Sequence, residues 1–149
     1  MVLDVGKEER DMSMTEALAH GAAYPEVYIC SPYAGGVEAN VANAIRYARF
    51  ALSEGFMPVV SHLMYPQVLD DSDPVQRDLG LAFGIRLMES CLGGLWVFAD
   101  TDADISPGMA QEIGIAEKRG MRIRYFTTAF AERTEGGGDG EVDTEDGRG

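Results

Sequence analysis

The chain has little cysteine and little positive charge, and it has no long apolar run. Its 149 residues include two cysteines, Cys30 and Cys91, each inside an apolar segment, with no CxxC pair and no Cys/His cluster. This pattern argues against a disulfide framework or a structural zinc site, and it favours buried thiols in a reducing compartment. We therefore expect a cytoplasmic protein.

The lack of long apolar runs and of basic segments also limits which partners the protein is expected to bind. No run approaches the roughly 18 apolar residues of a membrane span, and the N-terminus lacks the basic start of a signal peptide. Twelve Lys and Arg stand against 25 Asp and Glu, which gives a formal charge of -13. Duplex nucleic acid and anionic membranes require a basic surface that displaces counterions, so neither is expected as a partner.

The charge and composition divide the chain into three parts. Residues 1–24 form an N-terminal extension that we expect to be partly disordered, and residues 25–130 form one domain of ordinary size. Residues 131–149 form an acidic, glycine-rich tail with almost no apolar side chain to offset its ordering entropy, so we expect it to be disordered. An interaction tail and a solubilising extension both fit, and the second is favoured.

Within the domain, short apolar runs alternate with longer helical periods, which is typical of a parallel sheet between helices. The predicted strands are Val27–Cys30, Met57–Val60, Leu95–Phe98 and Arg122–Phe126. The predicted helices start near Val37, at Asp73-Pro74 and at Ser106-Pro107, and the second is expected to turn Val75, Leu79, Ala82, Phe83, Leu87 and Cys91 inward. The fold class is α/β: a three-layer, flavodoxin-like or Rossmann-like parallel sheet of four to five strands flanked by helices.

In such sheets the ligand crevice lies beyond the carboxyl ends of the strands. The loop after the first strand has glycines that let backbone N–H groups approach a ligand, but a tight strand-to-helix turn explains them equally well. A GxGxxG fingerprint and a Walker lysine are absent, so no cofactor is expected. The candidate ligand-binding residues after the strands are Ser31, Pro32, Tyr33, Gly35, Gly36, His62, Ser106, Gly108 and Met109.

His62 and the clustered aspartates can each be interpreted as functional or as structural residues. His62 lies at the end of the second strand, where it contacts a ligand or is a hydrogen-bonded structural histidine. Asp70, Asp71 and Asp73 resemble a metal cluster, but their place before Pro74 favours helix capping, so no metal site is predicted. Asp102 and Asp104 are interpreted as solvated loop charges.

Glu112 is the strongest candidate for chemistry. It lies at the edge of the buried stripe of Met109, Ile113 and Ala116, one turn after Gly108, which leaves open space above it. A carboxylate there is partly desolvated near the positive end of the helix, and we expect Asp100 within reach across the crevice. Such a pair suits nucleophilic and proton-transfer roles, although a surface glutamate on an amphipathic helix is an equally good reading of the pattern alone.

These residues place the chain near a known family. Tyr28-Ile29-Cys30-Ser31-Pro32 and the series Asp100, Ser106, Gly108, Glu112 and Gly114 resemble the nucleoside 2-deoxyribosyltransferases and related bacterial and phage proteins, over about residues 26–127. The resemblance implies that Glu112 is the nucleophile that attacks the anomeric carbon. It also implies that Asp100 positions or protonates the base.

The expected function follows from that resemblance. We expect a homo-oligomer that acts on a small-molecule nucleoside or nucleotide by N-glycosidic bond chemistry, as a deoxyribosyltransferase or an N-glycoside hydrolase. The alternative is a non-catalytic protein that binds a nucleotide-derived ligand or signal in the same crevice. Local physics makes Glu112 and Asp100 candidates, and only the resemblance makes Glu112 a nucleophile.

Overall fold

A computed structural model of the chain describes residues 13–33 and 35–134. The helices are α1 (Met14–Ala22), α2 (Val37–Ser53), α3 (Tyr65–Val68), α4 (Pro74–Glu89) and α5 (Pro107–Lys118). The strands are β1 (Glu26–Cys30), β2 (Met57–Val59), β3 (Leu95–Phe98), β4 (Ile123–Phe126) and β5 (Glu132–Arg133). Two short 3-10 helices cover Ser61–Leu63 and Asp102–Asp104. Within the described ranges, no helix combines the length and the apolar content needed to cross a membrane.

The five strands form one sheet in the order β2-β1-β3-β4-β5. The first four strands are parallel to their neighbours, and β5 is antiparallel to β4. This arrangement confirms the predicted flavodoxin-like α/β class. Because the carboxyl ends of parallel strands meet at the same edge of a sheet, the loops after β1, β2 and β3 lie together there.

The sheet separates two apolar clusters. Each cluster lies between one face of the sheet and the helices that cover that face. On one face, Val27 and Ile29 of β1 pack with Trp96, Phe98 and the α2 side chains Tyr47 and Ala51. On the other face, Tyr28 and Cys30 pack with Leu95, Val97 and side chains of α4 and α5. The alternation along β1 and β3 is the period of two that a strand imposes on its side chains. The runs of β1 and β3, in the interior of the sheet, are therefore buried on both faces, as in parallel sheets generally.

The strand limits agree with the predictions to within one residue, and the chain adds β5. This strand carries the fold to Arg133, past residue 130, where the sequence pattern places the end of the domain. Arg133 holds it there, since its guanidinium donates to the Ala99 carbonyl at 3.0 Å and to the Asp102 carboxylate at 2.7 Å. Helix α1 lies in the predicted N-terminal extension, and the disorder predicted for residues 1–12 and 135–149 falls outside the described residues.

The predicted inward face of α4 is right towards the end of the helix, where Leu87 packs against the apolar cluster and Cys91, just after the last turn, is buried, and it is wrong in the first half. Val75 is 68% exposed and Leu79 is 43% exposed, and Ala82 is exposed as well. The buried positions of the helix are Gly84 and Met88. The apolar pattern does not identify Gly84 as a buried position, because a glycine carries no hydrophobic signal in the sequence.

Candidate functional site

A cavity of about 400 Å³ lies at the carboxyl ends of β1 and β2. Its walls come from the loops after these strands, from α3, from one side of α4 and from the N-terminal half of α5. The volume falls in the range of pockets that hold a small organic ligand, roughly 300–1,000 Å³. The cavity lies on the α4/α5 face of the sheet, because it reaches Gly84 and Glu112.

Most of the predicted site residues meet in this cavity. Those that line it are Ser31, Tyr33, His62, Ser106, Gly108, Met109 and Glu112. The remaining ligand-binding candidates, Pro32, Gly35 and Gly36, belong to the turn into α2 and are not among the cavity residues. Gly35 has φ +99°, a left-handed conformation that glycine adopts without strain, so the turn explanation accounts for this glycine.

Helix α5 places Glu112 on the cavity wall. The helix starts at an N-cap, Ser106, whose hydroxyl accepts from the Met109 N–H at 3.2 Å, and Pro107 takes the first helical position. From this start, Met109, Ile113 and Ala116 fall on the buried face, as predicted. Glu112 is only 6% exposed, so it lies within the buried stripe rather than at its edge.

A hydrogen-bonded chain of side chains fixes the Glu112 carboxylate. The Tyr28 hydroxyl donates to Glu112 Oε2 at 2.7 Å, and the same hydroxyl lies 2.7 Å from Ser61 Oγ. A tyrosine has one hydroxyl proton, so Ser61 is the donor in the second bond when Glu112 is ionised. Strand β1, the 3-10 helix after β2 and helix α5 thus contribute one group each, and the carboxylate is held in one orientation.

Burial controls the ionisation of this cluster. It raises the pKa of Glu112 above its ordinary value of 4.5, and hydrogen bonds from Tyr28 and Cys30 partly offset this. Burial, followed by the nearby Glu112 charge, raises the pKa of Tyr28 and of Cys30, so both groups keep their protons as donors. The Cys30 thiol is also 3.9 Å from the Met109 carbonyl oxygen. The site therefore offers a poorly solvated, fixed carboxylate, which suits nucleophilic attack on an electrophilic carbon.

Gly84 of α4 makes room for this chain. A Cβ atom at this position would lie 3.1 Å from the Tyr28 hydroxyl oxygen and 3.3 Å from Ser61 Oγ. Both distances are shorter than ordinary carbon–oxygen contacts, so a side chain here would displace the two hydroxyl groups. Gly84 thus leaves the space that the two hydroxyl groups occupy.

His62 and Tyr33 form a second wall of the cavity. His62 Nε2 lies 2.9 Å from the Ser31 carbonyl oxygen, and its ring centre is 5.1 Å from that of Tyr33. Asn40 of α2 donates its side-chain N–H to the Tyr33 carbonyl oxygen at 2.9 Å, which anchors the loop after β1. Burial lowers the pKa of His62 below its ordinary value of 6.5, so the ring is neutral at neutral pH.

The structure does not bring Asp100 to this cavity. Its carboxylate accepts from the Thr128 N–H at 2.8 Å and from the Thr128 hydroxyl at 3.1 Å. Its charge acts on the pKa of Tyr47, a member of the cluster on the α2 face. Glu112 bonds to Tyr28, which belongs to the opposite cluster. The two acids predicted as a pair thus lie on opposite faces of the sheet.

The other acids have structural partners. Asp73 accepts from the Val75 N–H at 3.1 Å as the N-cap of α4, which confirms the capping interpretation. Asp102 pairs with Arg133, and Asp104 accepts from the Thr101 N–H at 3.1 Å, so both hold their loop in place instead of being simply solvated. Within residues 13–33 and 35–134, no group of three His, Cys, Asp or Glu side chains is arranged to hold a metal ion.

Tyr28, which bonds to Glu112 from beneath the cavity lining, and several cavity residues were not predicted as site residues from the sequence. Tyr28 sits in an apolar strand, and its signal was available, because a buried tyrosine hydroxyl requires a partner. The residues of α3 and α4 left no comparable signal, since they follow no strand end and line the cavity only through the packing of the two helices. They are Pro66, Gln76, Gly80, Leu81 and Gly84, with Leu69 directly after α3.

Substitution of Gly84 tests the close approach. Gly114 is a matched control in α5, because a Cβ there has no contact within 4 Å. We expect Gly114→Ala to raise the free energy of unfolding by up to about 1 kcal/mol through helix propensity. Gly84→Ala should fall about 1 kcal/mol or more below Gly114→Ala in urea denaturation, because the new methyl group crowds Tyr28 and Ser61. Equal gains in the two variants would contradict the assigned contact.

The raised pKa of Glu112 predicts a pH-dependent stability. The folded state binds the Glu112 proton more tightly than the unfolded state, so this stabilisation is complete below pH 4.5 and is lost as the pH rises through the raised folded pKa. Glu112→Gln has no such loss. Its free energy of unfolding relative to the wild type should increase from pH 4 to pH 8 in urea titrations.

The control for this titration is Glu117→Gln. Glu117 is an exposed glutamate of the same helix, so its substitution removes a carboxylate without removing a buried one. A Glu112→Gln difference that stays constant over the pH range, as large at pH 4 as at pH 8, would show that the carboxylate is not penalised by burial.

Comparison with known proteins assigns the domain. Among proteins with curated descriptions, none matches this chain. One family model, described as a domain of unknown function, matches residues 25–126, which cover the sheet from β1 to β4 with α2 to α5 and include Tyr28, His62 and Glu112. The match spans more than half of the chain, and the chain therefore belongs to the DUF7768 family.

Proposed function

We propose that the protein cleaves the N-glycosidic bond of a nucleoside or nucleotide, with Glu112 as the nucleophile. The observation that carries the proposal is the buried Glu112 carboxylate, 6% exposed and bound by Tyr28 at 2.7 Å, on the wall of a ligand-sized cavity. The nucleoside itself comes from the resemblance of the Tyr28 and Glu112 segments to the nucleoside 2-deoxyribosyltransferases.

The chemistry follows from the state of the carboxylate. A fixed anion stabilises the positive charge that develops on the anomeric carbon as the base departs, and it then captures that carbon as a covalent ester. Tyr28 holds the attacking group in place before the substrate arrives, which reduces the entropy that the reaction must lose. Water or a second base completes the turnover, giving hydrolysis or transfer.

The remaining walls suit a nucleoside. Tyr33, His62 and Tyr65 present rings against which a base can stack. Ser31 is 2% exposed, and its hydroxyl has no hydrogen-bond partner among the described residues, so a ligand hydroxyl can satisfy it. Arg77 is the one guanidinium among the described cavity residues, and it can receive a phosphate.

We also propose that the protein acts as a homo-oligomer in the cytoplasm. None of the residues of α1 is buried, and Met14 and Leu18 on this helix are 73% and 66% exposed. A nine-residue helix is shorter than the roughly 12 residues at which isolated helices become marginally stable in water, so a contact with a second copy would stabilise it. The buried free thiols of Cys30 and Cys91 suit a reducing compartment.

The activity is tested with a panel of deoxynucleosides, ribonucleosides, their 5′-monophosphates and NAD, with free base measured by chromatography. We expect the wild type to release base from at least one class. Glu112→Gln should lower that rate by about three orders of magnitude or more, because the nucleophile is lost while Tyr28 keeps an acceptor. Glu117→Gln, on the exposed side of α5, should retain the rate.

Two results would overturn the proposal. Base release that is unchanged in Glu112→Gln would exclude this residue as the nucleophile. Tight retention of a nucleotide by both proteins without any free base would instead support the alternative, a protein that binds a nucleotide-derived ligand.

A further inference from the structure

His62 has a defined tautomer in the cavity. A carbonyl oxygen only accepts hydrogen bonds, so Nε2, 2.9 Å from the Ser31 carbonyl oxygen, carries the proton. The ring is neutral at neutral pH, since burial lowers the pKa of His62. Its Nδ1 atom is then an unprotonated acceptor, and no described residue bonds to it. The ring itself lines the cavity that holds Glu112.

The surroundings hold the ring in this state. The ring of Tyr33 packs at 5.1 Å, and the Ser31 carbonyl fixes the orientation. The Asp71 charge raises the pKa of His62 and partly offsets the effect of burial. The other ionisable side chains among the described cavity residues are Tyr33, Tyr65, Arg77 and Glu112. Ser61, the residue before His62, belongs to the hydrogen-bonded chain that ends at Glu112. His62 and Glu112 therefore line one cavity.

The proposed reaction requires such a base. Water that attacks the glycosyl ester must lose a proton as its oxygen bonds to the anomeric carbon. Asp100 cannot take this proton from where it lies, since it bonds to Thr128 and neighbours the cluster on the α2 face. No other neutral nitrogen base stands among the described cavity residues.

We propose that His62 is the catalytic general base for breakdown of the glycosyl–Glu112 intermediate; this inference rests on the proposed function. In the first half of the reaction, Glu112 bonds to the anomeric carbon. The carbon–nitrogen bonding pair leaves with the nucleobase, which takes a proton from solvent. In the second half the water oxygen bonds to that carbon, the water proton passes to His62 Nδ1, and the ester bonding pair returns to Glu112. The imidazolium then loses its proton to solvent.

The test uses His62→Gln and the time course of base release on the substrate class that the wild type accepts. Glutamine can keep an N–H donor for the Ser31 carbonyl but has no basic nitrogen. We expect a burst that releases about one nucleobase per active site, at a rate close to that of the wild type. The steady-state rate that follows should be lowered about 10²-fold. Sodium azide should restore turnover and form a glycosyl azide, because this anion attacks without a base.

A matched control is His20→Gln, the other histidine, in α1 and outside the cavity. It should change neither the burst nor the steady state. The steady-state rate of the wild type should also stay constant down through pH 6.5 and fall only at lower pH, as His62, whose pKa burial lowers, takes up a proton. The burst itself reports folded active sites, so a misfolded variant is recognised.

The inference and the proposed function fail in distinguishable ways. Two results for His62→Gln would exclude His62 as the general base: a steady-state rate equal to that of the wild type, or a loss of both burst and steady state that azide does not restore. In either case the release of the nucleobase by Glu112 still stands. A wild type that releases no base from any compound would overturn both.

Discussion

The hydrogen bond from the Tyr28 hydroxyl to the Glu112 carboxylate is the contact on which the site depends. A carboxylate loses several kcal/mol of solvation when it is buried without partners, and a charge-assisted hydrogen bond offsets part of that loss. The bond joins the interior strand β1 to α5 within the layer of apolar side chains. Gly84 leaves space for the hydroxyl, and Ser61 bonds to it as well. The carboxylate is thereby both poorly solvated and fixed.

The two faces of the sheet decide which residues can cooperate with this carboxylate. Successive side chains of β3 alternate, so that Trp96 and Phe98 meet α2 while Leu95 and Val97 meet α4 and α5. Asp100 follows on the α2 face with Thr128, whereas the loop after β2 brings His62 to the Glu112 face. Asp100 and Glu112 are close in the sequence, but they lie on opposite faces of the sheet. The proton transfer that the chemistry needs falls to a residue from another strand end.

The sequence predicted the elements with strong local signals. The strands appeared as apolar runs because parallel strands are buried on both faces, and the start of α5 appeared as Ser106-Pro107, a pattern whose capping role is independent of the rest of the fold. The inward position Gly84 of α4 could not be predicted from the apolar pattern, because a glycine carries no hydrophobic signal. The partners of Tyr28 and the α4 wall of the cavity depend on helix packing, which periodicity alone does not encode. Seven of the predicted site residues nevertheless meet in the cavity, since strand ends converge in this topology.

The covalent intermediate is the central claim, and intact-protein mass spectrometry after rapid acid quench tests it most directly. During turnover of an accepted nucleoside or nucleotide, the account predicts a mass increase equal to the sugar portion without its base. After proteolysis the added mass should map to Glu112 in the α5 peptide. Base release with no adduct at any time point, or with the adduct on another residue, would contradict the assignment of the Tyr28-bound carboxylate as the nucleophile.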